Sequence, residues 1–257
     1  MIAALFDIHG NLPALEAVLS TASAAGAERL LVGGDVVDGP LPRQTLDRLL
    51  AVRPLPLFLR GNTERALVPS QIARGEAEAG RPTALQQWVA AQLTQGQLRF
   101  LAELPRCIRM DAGAIRLLFC HATPRSDREL FTPATPPRRL RSIFEDVDAD
   151  VVVCGHTHIQ FDIAVEGLRI FNAGSVGMPT GEAVAQWALI DDSIRLMRTP
   201  YDLEAAKGEI GGSGYPGAAR FIEENLERPY QVASAVAYFE ARASEDPRRG
   251  AEPPGWG

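Results

Sequence analysis

The sequence predicts an α/β fold of two mixed β-sheets packed face to face, with helices outside. Two observations carry this reading. The first 60 residues alternate short apolar runs with stretches of helical periodicity, and the second half holds three pairs of apolar runs joined by short polar turns. Strand–helix–strand alternation implies parallel strands with crossover helices, and paired runs across tight turns imply hairpins. Size is consistent with this. A chain of 257 residues, 46% hydrophobic and 23% charged, buries about 70–75% of the surface its unfolded form exposes, so no disulfide is required.

Taken in order, residues 2–6 form an apolar, strand-like run. Residues 12–24 have helical periodicity, with Leu12, Leu15, Val18 and Leu19 on one face. Residues 30–32 are apolar and run into Gly33-Gly34, 44–50 are helical again, and 55–59 make a third strand. Residues 64–104 read as a helical insertion, with Trp88, Val89, Leu93, Leu98, Phe100 and Leu101 at helical spacings. The second half reads as antiparallel. Runs 107–110 and 114–120 flank Asp111-Ala112-Gly113, runs 159–165 and 168–171 flank Glu166-Gly167, and runs 183–190 and 193–197 flank Asp191-Asp192. Residues 1–200 are expected to form the core, 201–244 a helical extension packed on it, and 245–257 a flexible tail rich in Pro and Gly.

Charge and cysteine content narrow the partners. A net charge of −6 argues against long nucleic acid, whose phosphates select an electropositive surface. The small basic cluster Arg138, Arg139 and Arg141 reads as a solvated helix face. The longest apolar runs are strand-sized, so no membrane partner is expected, and the N-terminus lacks the basic and apolar regions of a signal peptide. Cys107, Cys120 and Cys154 lie in apolar runs with no CxxC pairing, as buried reduced thiols of a cytoplasmic protein do.

The informative residues stand at the ends of five apolar runs. These runs end in Asp7-Ile8-His9, Gly33-Gly34-Asp35, Arg60-Gly61-Asn62, His121, and Gly155-His156-Thr157-His158. In open α/β sheets ligands bind beyond the carboxyl ends of the strands. Asp, His and Asn are metal ligands, and all 4 histidines of the chain sit at these ends. On an extended strand, residues i and i+2 point the same way, which would let Asp7 with His9, and His156 with His158, reach one ion from one side. Gly34, Gly61 and Gly155 fit backbone that approaches the ions closely or needs unusual dihedrals. Seven ligands exceed one tetrahedral zinc and suit two ions sharing a carboxylate, about 3.5–4 Å apart.

In this order the five blocks resemble the signature of the calcineurin-like metallophosphoesterases, over about residues 1–200. Asp7-Ile8-His9-Gly10-Asn11, His121-Ala122-Thr123-Pro124-Arg125 and Asn172-Ala173-Gly174-Ser175-Val176-Gly177 resemble the small stand-alone bacterial and archaeal branch. The resemblance implies a four-layer αββα sandwich. It also implies that Asp7, His9 and His158 would bind one divalent ion and Asn62, His121 and His156 a second, with Asp35 bridging. Mixed N/O ligands accept Mn, Fe, Ni or Zn. The implied activity is hydrolysis of a small phosphorylated or nucleotide-like substrate by a metal-activated hydroxide, with phosphodiesters preferred. Phosphomonoesters and dinucleoside polyphosphates are the alternative substrates, and a catalytically silent scaffold is the non-enzymatic alternative, though no ligand is lost here.

One block departs from the pattern. The family reads Gly-Asn-His followed by an acid, where this chain has Gly61-Asn62-Thr63-Glu64. The family histidine assists the leaving group, and Thr63 cannot act as a general acid near neutral pH, which favours substrates with good leaving groups. Glu64 or a metal-activated water is a candidate replacement. Arg125, four residues after His121, is a candidate phosphate clamp or a surface arginine. Asn11, two after His9, positions a substrate oxygen or caps the following helix. The GxGxxG match at 212–217 comes after a helical stretch and contains Pro216, so it reads as a turn.

Overall fold

The computed structural model of the chain describes residues 1–68 and 82–245. It contains two five-stranded mixed sheets. The first comprises β1 (Ile2–Leu5), β2 (Arg29–Val32), β3 (Leu57–Phe58), β9 (Ala185–Ile190) and β10 (Ile194–Thr199), in the order β10-β9-β1-β2-β3. The second comprises β4 (Cys107–Ala112), β5 (Ile115–Cys120), β6 (Val151–Cys154), β7 (Phe161–Val165) and β8 (Leu168–Asn172), in the order β4-β5-β6-β8-β7.

Alternation along β1 shows how the layers stack. Ala3 and Leu5 face an outer cluster with Leu15 and Val18 of the helix Leu12–Ala24, whereas Ile2, Ala4 and Phe6 face the second sheet. The layer between the sheets holds Phe6, Leu31, Leu59, Phe119, Val153 and Phe171. Beyond the second sheet, Ile143 and Phe144 of the helix Pro137–Phe144 join Ala235 and Phe239 of the helix Val232–Glu245. This is a four-layer αββα sandwich. Strands buried on both faces need apolar side chains, as IAAL and VVVC provide at every position and AQWALI at all but Gln186, whose Nε2 donates to Thr180 O at 2.9 Å.

Three expectations need correction. The second half is not wholly antiparallel, because β5, β6 and β8 run parallel. The helix Pro137–Phe144, expected from Arg138, Arg139 and Arg141 as a solvated helix face, lies on the connection that makes the β5–β6 crossover. The first hairpin turns at Gly113-Ala114 instead of Asp111-Ala112-Gly113, because Ala112 pairs with Ile115 and Gly113 takes a φ of +60°. The third strand shrinks to Leu57–Phe58, since Pro54 and Pro56 have no N–H to give a ladder. At Glu166-Gly167 both residues have positive φ, as a type I′ hairpin demands.

Within the expected insertion, the structure describes the helices Asn62–Leu67, Ala84–Gln92 and Gln95–Ala102. Thr83 with Gln86, and Thr94 with Gln97, form capping boxes that open the last two. Residues 69–81 and the expected tail at 246–257 lie outside the described residues. The three cysteines are free, with Cys120 and Cys154 buried. No helix among the described residues is long and apolar enough to cross a membrane.

Phe119 is fully buried between the sheets, and Leu55 is 54% exposed. Phe119→Ala is expected to lower stability by about 3–5 kcal/mol in urea unfolding, and Leu55→Ala by less than about 0.5 kcal/mol. Equal losses would contradict the face-to-face packing.

Candidate metal centre

The strands stop just short of the chemistry. β1, β2, β5 and β6 end at Leu5, Val32, Cys120 and Cys154, and the polar motifs lie on the loops beyond. Asp7, His9, Asp35, His156 and His158 all adopt left-handed backbone, with φ of 54°, 48°, 52°, 70° and 55°. Among the described non-glycine residues the only other instance is Glu166, in a hairpin turn. Such conformations cost of order 1–3 kcal/mol each and persist where the surroundings over-determine them. Asp7 and His9 therefore converge through coiled loops, and the pleat of an extended strand is not what aligns them.

Backbone hydrogen bonds hold these loops together. Asp7, His9 and Gly10 donate their N–H groups to Gly34, Asp35 and Val36 at 3.2, 2.9 and 2.9 Å. Gly177 N and Ser175 Oγ donate to the carbonyl of Asp7 at 3.0 and 2.7 Å, and Gly155 N donates to the carbonyl of His121 at 2.9 Å. Two glycines make room for the carboxylates. A Cβ on Gly61 would lie 2.0 Å from Asp35 Oδ1, and one on Gly155 would lie 2.3 Å from Asp7 Oδ2.

All seven expected ligands come to one place, and they present acceptors to one another. The Nδ1 atoms of His9, His121 and His158 lie 3.0, 2.9 and 3.0 Å from the carbonyls of Asp38, Gly33 and Met178. A carbonyl only accepts, so each Nδ1 carries a proton and each Nε2 is left to face inward. His9 Nε2 and His158 Nε2 are 3.3 Å apart, two lone pairs in contact. Asp7 Oδ1 is 3.3 Å from His158 Nε2 and 3.8 Å from both His9 Nε2 and His121 Nε2. Asp35 Oδ2 is 3.4 Å from His121 Nε2 and 3.9 Å from His9 Nε2. Asn62 Oδ1 lies 3.0 Å from His121 Nε2, and the His156 ring lies 5.1 Å from that of His121. Asp7 Oδ1 and His156 Nε2 are buried with no hydrogen-bond partner.

Protonation reflects these contacts. Burial pulls the His121 imidazole down, but Asp35 and Asp7 outweigh it and push it up to about 10. Burial, with His158 adding to it, pulls His9 down to about 4, and burial with His121 beside it does the same to His156. Burial alone would raise both carboxyls. The His158 and His121 charges hold Asp7 below its ordinary value, and His121 holds Asp35 well below it. The proton on His121 thus stands beside two buried acceptors that have no donor, Asp7 Oδ1 and His156 Nε2, and a cation is what their lone pairs fit. Asp7, His9 and His158 offer ligand atoms all within 4.8 Å of one another, as do Asp7, Asp35 and His121. Asp7 Oδ1 is as central as Asp35 Oδ2.

The remaining expectations fare differently. Thr63 lies against the bridging candidate, donating to Asp35 Oδ1 from both its N and its Oγ1 at 2.9 Å. Glu64 is fully buried and latches two loops. Its Oε2 accepts from Asp35 N and Gly61 N at 2.8 Å, and its Oε1 from Val36 N at 2.7 Å. Burial, with the charge of Asp35, pushes Glu64 up to about 7. Only its position two residues after Asn62, three into a helix from Gly61, hinted at this capping role.

Asn11 and Arg125, the substrate-binding candidates, both have partners within the protein. Asn11 Oδ1 caps the helix Leu12–Ala24 through Ala14 N at 3.2 Å, while its Nδ2 donates to Gly177 O and Tyr201 OH at 3.0 and 3.3 Å. Arg125 is committed to Glu129 through Nε and a terminal nitrogen at 2.8 and 2.6 Å, and to Ser142 O at 2.8 Å. The segment 212–217 is a turn between the helices Leu203–Gly211 and Ala218–Ile222.

Comparison with known proteins agrees with this geometry. The family profile described as the calcineurin-like phosphoesterase superfamily domain matches residues 1–193, and the chain belongs to that superfamily. An uncharacterized protein of Methanocaldococcus jannaschii is 27% identical, covering 82% of this chain and 91% of its own. The phosphodiesterase YfcE of Escherichia coli K12 is 25% identical, covering 73% of this chain and 85% of its own. The crystal structure of a metallophosphoesterase from Sphaerobacter thermophilus superposes with a TM-score of 0.65 at 25% identity, covering 91% of this chain and 98% of that one.

Gly155→Ala places a methyl group against the Asp7 carboxylate and is expected to weaken Mn²⁺ affinity at least tenfold while the far-UV circular dichroism stays that of the parent. Competition with a fluorescent chelator measures it. Parental affinity would contradict the close approach.

Proposed function

We propose that the chain hydrolyses phosphate esters at a centre of two divalent metal ions, preferring phosphodiesters to alkyl monoesters. The observation that supports this most directly is the set of inward-facing acceptors, three of them imidazoles whose Nδ1 atoms are fixed on backbone carbonyls. Asp7, His9 and His158 would hold one ion and Asn62, His121 and His156 the other, with Asp35 between them. The mixed N/O set suits Mn, Fe, Ni or Zn. Two such ions polarise phosphoryl oxygens and activate water at neutral pH.

The chain's own residues set the rest. Two carboxylates against two divalent cations leave the centre about two charges positive, which draws in an anionic phosphate despite the acidic surface. Low pKa values keep Asp7 and Asp35 ionised across the neutral range. The backbone hydrogen bonds of the three histidines fix their tautomers, so no ring turns before an ion binds. The name of the Escherichia coli relative, a phosphodiesterase, supports the substrate class.

Preference derives from the missing acid. Thr63 Oγ1 donates to Asp35, and the Glu64 carboxylate is held by three backbone N–H groups. Neither supplies a proton to a leaving oxygen. An aryl or nucleoside-phosphate leaving group departs without one, whereas an alkyl alkoxide loses the about 10²–10⁴-fold that general acid catalysis supplies. The expected kcat/KM for bis(p-nitrophenyl) phosphate exceeds that for glycerol phosphate by at least a hundredfold, and Thr63→His narrows the ratio. Equal rates on both esters, or an unchanged ratio in Thr63→His, would contradict the proposal.

A further inference from the structure

The C-terminal helices lie beyond residues 1–193, which match the superfamily, yet they close a cavity against the centre. It has a volume of about 270 Å³, and its walls are His158 and Thr180 on the core side and Tyr230, Ser234, Tyr238 and Phe239 from the extension. The segment is docked firmly. Phe239 is 2% exposed, Gly181 N donates to Tyr230 O at 2.8 Å, and Glu240 accepts hydrogen bonds from Thr132 and Thr135. We propose that this cavity binds the planar aromatic ring of the substrate's ester group, a nucleobase, and so makes nucleotides the substrate class. The proposal rests on the phosphoesterase reading and adds the group that reading leaves open.

Three features argue for a ring. The first is position: His158 is both a wall of the cavity and a ligand candidate of the centre, so a phosphate at the metals places its ester group beside the opening. The second is chemistry. Three of the wall hydroxyls are already engaged, Thr180 Oγ1 with His158 O at 2.8 Å, Tyr230 with Glu224 at 3.1 Å and Tyr238 with Arg242 at 3.0 Å. What faces the cavity is therefore mostly aromatic and apolar surface, on which any base stacks by its π-face. Tyr238 is further held by the Arg242 guanidinium 5.4 Å from its ring centre. The third is size. A volume of 270 Å³ falls just below the about 300–1,000 Å³ of pockets that take whole drug-sized ligands, which suits one ring system.

Ser234 is exposed on its helix and lines the cavity, so Ser234→Trp fills the space without disturbing the core, and Ser234→Ala leaves it open. Calorimetry on the full chain in Mn²⁺ compares adenosine 5′-monophosphate with ribose 5-phosphate, which differ only in the base. The monophosphate is expected to bind at least tenfold more tightly to the parent and to Ser234→Ala. In Ser234→Trp it should fall to the level of ribose 5-phosphate, whose own affinity stays constant. Saturation-transfer NMR with adenosine, which has no phosphate, should show binding that Ser234→Trp removes. Equal affinities in the parent, or a Ser234→Trp effect shared by both phosphates, would overturn the proposal. Adenosine binding that persists where neither phosphate responds to Mn²⁺ would uphold the cavity and overturn the metal reading instead.

Discussion

Asp7 and Asp35 are both fully buried and both held ionised at one point of the molecule. Removing such charges from water costs several kcal/mol apiece unless partners replace the solvent. The surrounding structure can be understood as the supply of those partners. Asp7 Oδ2 accepts from His156 N at 2.8 Å, Asp35 Oδ1 accepts twice from Thr63, and each remaining oxygen faces imidazoles. The glycines at 61 and 155 are the clearance these carboxylates need. The left-handed loops are the backbone geometry that brings them together.

The sheet topology serves the same point. The strands that deliver ligands, β1, β2 and β3 in one sheet and β5 and β6 in the other, pair in parallel, so in each sheet neighbouring carboxyl ends emerge side by side. Antiparallel neighbours cannot do this, because their ends alternate. The antiparallel strands β4, β7 and β10 instead occupy sheet edges. They widen the apolar layer without reaching the centre.

What was legible in the sequence is what side-chain type records. Apolar runs gave the strands, and four histidines at run ends marked the centre. Backbone conformation left a weaker trace. Nothing in Asp7-Ile8-His9 announces φ values near +50°, and these side chains converge through left-handed loops, not a strand pleat. The carbonyls of Gly33, Asp38 and Met178 that fix the histidines have no side-chain signature. Arg125 and Asn11 were ambiguous because a charged or amide side chain beside a motif is equally suited to substrate or to scaffold. Each has one partner nearby and one far along the chain: Arg125 holds Glu129 and Ser142, 4 and 17 residues away, and Asn11 holds Ala14 and Gly177, 3 and 166 away. The parallel pairing of β5, β6 and β8 is hidden for the same reason, since a short polar turn signals only the pairing of the two strands that it joins.

The central proposal is that two metal ions replace the proton on His121 among these buried acceptors. Isothermal titration of metal-free protein with Mn²⁺ at pH 7.5, repeated in buffers of different ionisation enthalpy, measures ion stoichiometry and proton release together. Because Asp35 and Asp7 push His121 up to about 10, it starts protonated at that pH. Ligand histidines must be neutral to coordinate, so the account predicts two ions per chain with release of protons. Binding without proton release, or no saturable binding at all, would contradict it.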